Sequence, residues 1–241
     1  TMAEKQDIPW KRLTVEGSAI VASILLAFAI QAWWEERNDR QAERWLLDRL
    51  QADFTAIKNE LAIVREDHQR TFDASIALLA LPASDQPIVL TTEIADRVGR
   101  VFLVSRTFNP GSGSVNAFLN NEMSTQVGNR PLADLLIRWF GQVEELQEEE
   151  AQMQKGVSER WTPFLASRTE IAPILHLTNP LFSELPSEDR QLPEGAELVF
   201  DMEFRNHVVD RYKWQLIALR DLEPLETTVE EVLLHLRTEL N

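Results

Sequence analysis

Apolar and polar positions divide the chain into one uninterrupted hydrophobic stretch followed by a series of amphipathic ones. Residues 13–34 (LTVEGSAIVASILLAFAIQAWW) make up a 22-residue stretch with one formally charged side chain, Glu16. A helix rises ~1.5 Å per residue, so such a stretch covers ~33 Å, enough to cross a bilayer's hydrocarbon core. Trp10 precedes it and Trp33 and Trp34 close it, where amphipathic rings settle at headgroup level; Lys11 and Arg12 flank one end, and Glu35, Glu36 and Arg37 the other. The pattern predicts a single membrane-spanning helix over residues 13–34, after a short tail of residues 1–12 and before an extramembrane domain of residues 35–241. A buried core helix can be equally apolar, but rarely runs beyond ~14 residues without a polar face. A cleaved signal peptide would explain the small-x-small motif Ala27-Phe28-Ala29, yet apolar sequence continues past it to Trp34.

Within the span, Ala19, Ser23, Ala27 and Gln31 recur every fourth residue, and Glu16 lies three before Ala19. These five share one helix face. Small residues allow close helix approach, and polar ones hydrogen-bond across the contact, so Glu16, Ala19, Ser23, Ala27 and Gln31 form a candidate docking stripe for another membrane helix. Small residues are also common in membrane helices generally, and Glu16 is shallow enough to reach headgroups. Ile20, Ile24, Leu25 and Phe28 on the opposite face suit lipid.

Beyond the span, Leu50, Phe54, Ile57, Leu61, Val64 and His68 step by four and three, the spacing of a helix with one buried seam. No Gly or Pro intervenes from Ala19 to Leu81, so the spanning helix is expected to run unbroken into the domain. His68 falls on the seam as a hydrogen-bonded core histidine. Pro82, Ser84, Asp85 and Pro87 make the first break. Thr91 or Thr92 can cap the next helix, whose apolar face is Ile94, Val98, Val101 and Phe102. After the loop Asn109-Pro110-Gly111-Ser112-Gly113-Ser114, Ser114 is expected to cap a short helix over residues 115–121. Pro131 opens a long helix whose buried stripe is Leu132, Leu135, Leu136, Trp139, Val143 and Leu146, continuing through Met153, Val157 and Trp161. Residues 169–200, with Pro173, Pro180, Pro186 and Pro193, read as an extended loop with one strand-like patch, Leu198-Val199-Phe200. Asp201 caps the last long helix, which Pro224 should kink or split, and residues 227–240 close the chain as an amphipathic helix.

Charge narrows the function classes. The net charge is −15, and because Lys5, Lys11 and Arg12 outnumber Glu4 and Asp7 in the first 12 residues, everything after them sums to −16. Such a surface repels phosphate backbones, and no basic patch with interleaved aromatics appears, which argues against nucleic-acid binding. There is no Cys, so disulfides and thiolate metal sites are excluded. The Gly/Ser loop at 109–114 lacks the Lys and the preceding strand of a phosphate-binding Walker loop. The acidic run at residues 144–150 lacks the alternating ligands and central Gly of an EF-hand and reads as a solvated helix face. His68, His176, His207 and His235 show no zinc spacing, and Glu231 and His235 are spaced by four with no second copy, unlike di-iron bundles. No catalytic, cofactor-binding or metal-ligating residue is assigned, and no enzyme activity is expected.

The opening EGSAIVASILLAFAIQAWWEERNDRQAERWLLDRL resembles an uncharacterised family of bacterial single-pass membrane proteins, with a Glu-containing span, a Trp-x-Glu-x-Arg edge and then a charged helix. The segments from Phe108 to Asn129 and from Leu132 to Phe140 are similar to that family's second block. The resemblance covers about half the chain and implies topology without any activity or site residue. The expected fold class is all-α: one transmembrane helix continuing into an extramembrane bundle of about four to six helices. The function expected is a non-catalytic accessory or structural subunit of a membrane complex, its partners the bilayer and another integral membrane protein or a second copy of itself. The alternative is a ligand-sensing helical module acting through a partner. Basic residues flank the span on both sides; the short basic tail favours a cytoplasmic N-terminus and a periplasmic domain at a bacterial inner membrane.

Overall fold

The computed structural model describes residues 10–121, 129–179, 182, 184 and 191–240, without the side chains of residues 10–17, 19 and 20. The described chain is mostly helical, and it divides into two compact units, residues 1–48 and 49–241. Helix α1 (Trp10–Leu79) has no internal Gly or Pro after Gly17, and ends where Pro82 forbids continuation. Among the described residues no helix is long and apolar enough to cross a membrane. The N-terminal part of the expected span, with Glu16 and Ala19, and the flanking Trp10, Lys11 and Arg12 lie outside the described side chains.

In the second unit the seam of α1 is buried at Leu50, Phe54, Ile57, Leu61, Val64, His68, Thr71, Ser75 and Leu78, an unbroken three-four alternation. Helix α2 (Thr92–Leu103) starts at Thr91, whose Oγ1 accepts from the Ile94 N–H at 3.2 Å. Helix α3 (Gly113–Leu119) is preceded by Ser112 at its N-cap. The expected cap, Ser114, is instead inside the helix with its side chain buried, so the hydroxyl is turned away from the orphan N–H groups. Helix α4 (Arg130–Gly156) carries Pro131 in its first turn, where no N–H is missed. Its buried stripe leads into a π-helical turn, Val157–Trp161, followed by α5 (Thr162–Ala166). Pro163 has no N–H and its ring crowds an α-helical carbonyl four residues back; the wider turn relieves this, with the Thr162 N–H bonding Val157.

Two expectations for the later chain are corrected. The segment read as an extended loop holds α6 (Ile171–Thr178), which Pro173 tolerates because it sits near the helix start. Strand β1 (Pro87–Val89) pairs antiparallel with β2 (Glu197–Val199), Ile88 opposite Leu198, so the strand-like patch finds a partner from the far side of the sequence. Asp201 caps α7 (Met202–Leu240) as expected, its Oδ1 accepting from Phe204 N–H at 2.8 Å. That helix continues through Pro224 rather than splitting. Leu222, Leu225, Thr228 and Val229 stay buried on either side of it, and their packing offsets the single lost backbone bond.

Helices α1, α4 and α7 share one core, where Phe54 and Trp139 meet at 5.3 Å between ring centroids and Phe72 stacks on Tyr212 at 4.9 Å. A second cluster joins α2, α5, α6, the two strands and the start of α7 around Phe102, Trp161, Leu165, Ile174, Phe200 and Phe204. There α2 and α6 approach so closely that a Cβ on Gly99 would lie 2.3 Å from Thr178 Oγ1 and 3.0 Å from Ile174. Gly99→Ala should therefore lower stability by about 1–3 kcal/mol through overpacking, whereas Gly111→Ala, with nothing within 4 Å of its Cβ position, should leave the loop unclashed. Denaturant midpoints of the two variants check this: equal midpoints would show that α6 shifts without cost.

Candidate functional site

Two features of the described chain depart from an ordinary helical bundle. The first is the apolar stretch of α1. Val21, Ile24, Leu25, Leu26, Phe28, Ile30, Trp33 and Trp34 are all exposed, Phe28 by 65%. So are the described members of the small-residue stripe, Ser23, Ala27 and Gln31, so that every face of the helix from Val21 to Trp34 is open. Gln31 Nε2 donates to Glu35 Oε1 at 2.9 Å along the same helix, and Arg37 lies over the Trp33 ring at 5.8 Å. A helix apolar all round belongs in a protein core or in lipid.

The second feature is a chain of polar side chains in the seam of α1, α4 and α7. His68, Glu150, Arg211 and Gln215 are each at most 3% exposed. Only one orientation of the Gln215 amide satisfies both neighbours: its nitrogen donates to His68 Nδ1 at 2.7 Å, and its oxygen accepts from Arg211 Nη2 and Nε at 3.2 Å. His68 Nδ1 is then an acceptor, so the ring proton sits on Nε2 and donates to Glu150 Oε1 at 3.3 Å. Glu150 Oε2 accepts from the Phe108 N–H at 2.7 Å. At the other end Arg211 Nη2 donates to the Val104 carbonyl at 2.6 Å, and the guanidinium lies over the Trp161 ring at 4.9 Å. Burial pulls the Arg211 pKa down to about 9, against the opposing charge of Asp210. The side-chain bonds run in one direction, from guanidinium through amide and imidazole to carboxylate.

This relay corrects the reading of residues 144–150 as a wholly solvated face, because Glu150 is 1% exposed. The signal was in the register. Val143, Leu146, Glu150 and Met153 continue the three-four alternation of α4, just as Phe204, Val208, Arg211, Gln215 and Ala218 do on α7. The relay also fastens the loop before α3 at Val104 and Phe108, where Gln147 Nε2 adds a bond to the Phe108 carbonyl at 3.1 Å. Its members do not line the grooves between α1 and α7. The large grooves between α1 and α7, of about 510 Å³ each, are lined instead by residues such as Lys58, Leu61 and Thr227, or Phe72, Leu216 and Leu219. Among the described residues no three His, Asp or Glu side chains converge as metal ligands. The relay's bonds link three helices and a loop.

Next to it, Glu149 of α4 faces Asp221 of α7. Burial, the hydrogen bond to Asp221 and repulsion from Asp221 and Glu145 push the Glu149 pKa up to about 8, with Arg220 opposing. Glu149 is thereby favoured in its protonated form at neutral pH.

Glu150→Leu should cost about 3–5 kcal/mol, since it strands the His68 and Phe108 donors and the buried Arg211. His68→Leu should couple to it by about 0.5–3 kcal/mol in a double-mutant cycle of unfolding free energies. Additive losses would show that the relay does not act as a unit. For Glu149 the folded pKa lies above the unfolded value of 4.5, so its contribution is complete below about pH 4.5 and is lost as pH rises through about 8. The unfolding temperature of Glu149→Gln should accordingly fall less between about pH 5 and pH 8 than that of the parent chain; parallel pH profiles would contradict the raised pKa.

Comparison with protein-family models, curated proteins and solved structures yields no match.

Proposed function

We propose that the chain is a non-catalytic, single-pass membrane protein whose helical domain serves as an accessory or structural subunit of a membrane complex. The observation that carries this reading is the exposure of the apolar helix from Val21 to Trp34 on all its faces. Leaving apolar area in water forgoes about 25 cal/mol per Å², and lipid removes that cost without any protein partner. No formally charged residue lies between Glu16 and Glu35, and the span continues toward Leu13 in the sequence. Tryptophans at both ends match the two interfaces of a bilayer. Among the described residues the exposed apolar segment alone is too short to cross, so the reading rests on the whole of residues 13–34.

The acidic domain would stand away from anionic headgroups on the periplasmic side of a bacterial inner membrane, with the short basic tail in the cytoplasm. Its relay reads as a device for rigidity, which suits a scaffold. The stripe of Glu16, Ala19, Ser23, Ala27 and Gln31 supplies a face for another membrane helix or a second copy of the chain.

Two measurements test this reading in one preparation. The full chain, expressed with its membrane, should resist alkaline extraction, and Ser23→Leu with Ala27→Leu should lower recovery of co-purifying partner or oligomer about tenfold without releasing the chain. The conservative changes Ile24→Leu with Phe28→Leu, which add no bulk within the stripe, should change neither result. Extraction of the parent chain into the alkaline supernatant would end the membrane reading, and unchanged recovery would end the docking reading.

A further inference from the structure

The helix just past the apolar stretch sorts its charges by face. At ~100° per residue, Trp33, Arg37, Arg40 and Arg44 fall within about a 60° sector, Glu36 and Glu43 border it on one side, and Glu35 and Asp39 fall opposite. The sector is concave: Trp33, Glu36, Arg37, Arg40, Gln41 and Arg44 line a groove of about 480 Å³. Arg37 is held over the Trp33 ring at 5.8 Å, and Arg40 pairs with Glu36 one turn back. The three arginines, Gln41 and Trp33 are all exposed. Three guanidiniums thus share one exposed face, and their planar forks match phosphate oxygens.

We infer that this face binds the phosphate groups of anionic phospholipids at the membrane surface beside Trp33 and Trp34. The inference rests on the membrane reading above and adds the lipid chemistry to it. Position selects the occupant, because the groove begins at the last tryptophans of the apolar stretch, the depth at which phosphates lie when those rings sit at the interface. Arg37 then reaches phosphates directly from its place over Trp33. Arg40 and Arg44 stand one and two turns further along the same face, near enough to the surface to add electrostatic attraction. Glu36, at the edge of the sector, neutralises part of the charge when no lipid is bound.

The full chain is reconstituted into vesicles of mixed phosphatidylglycerol and phosphatidylcholine, and lipid retained after mild detergent solubilisation is quantified by mass spectrometry. Retained phosphatidylglycerol should exceed its share in the vesicles several-fold. Each arginine near an anionic surface contributes about a fivefold preference, so Arg37→Gln with Arg40→Gln and Arg44→Gln should abolish the enrichment, while Arg49→Gln, outside the sector, should preserve it. A chain that alkaline extraction strips from the vesicles overturns the membrane reading and this inference together. A chain that stays embedded but shows no enrichment, or the same enrichment in the triple variant, overturns this inference alone. Loss of enrichment in millimolar inorganic phosphate would mark a free-phosphate site and overturn the lipid assignment.

Discussion

A carboxylate in the seam of three helices must be given donors, and the helical domain is built around supplying them to Glu150. Desolvating a charged group costs several kcal/mol unless hydrogen bonds replace its water. Glu150 receives one N–H from the loop before α3 and one from His68 on α1. His68 in turn takes a proton donor from Gln215, which is polarised by Arg211. Sliding any of these helices by one turn would place an apolar residue, such as Leu146 or Met153, opposite His68 and leave a buried charge unpaired. The penalty for such a slip is far larger than that for misplacing one leucine against another. Apolar stripes alone define the faces of α1, α4 and α7; the relay defines their register. Its energy as a whole need not exceed that of a well-packed apolar layer, so register is the better account of its presence.

Much of the seam was legible because burial follows a period. All six positions assigned to the α1 seam, from Leu50 to His68, are buried, and Thr91 and Asp201 cap the helices expected of them. Glu150 was misjudged by composition: among so many glutamates it counted as one more solvated carboxylate. Position separates it from the others, since it falls seven residues after Val143 and Glu148 does not. The pairing of Pro87–Val89 with Glu197–Val199 was not legible, because a three-residue strand carries too little pattern to name a partner so far along the chain. The continuity of α7 through Pro224, where a kink or a split was expected, was not legible for a related reason. A proline's local cost is visible in sequence, whereas the packing of Leu222 and Leu225 that outweighs it is tertiary.

The two units follow opposite rules for apolar residues. Residues 49–241 bury most of theirs in register, and four of the buried polar residues there, His68, Glu150, Arg211 and Gln215, are bonded to one another. Residues 21–34 display theirs on every face, and their polar members are tied within the chain, as Gln31 is to Glu35. A helix that meets its hydrogen-bonding needs internally while exposing Phe28 and Leu25 is suited to a solvent without hydrogen bonds. That constraint bears on the docking stripe as well. In such a solvent there is no gain from burying leucine against leucine, so any partner helix must be held by close approach at Ser23 and Ala27 or by polar contact. The faces that look most hydrophobic are thus the least informative about partners, and the small residues between them are where specificity would reside.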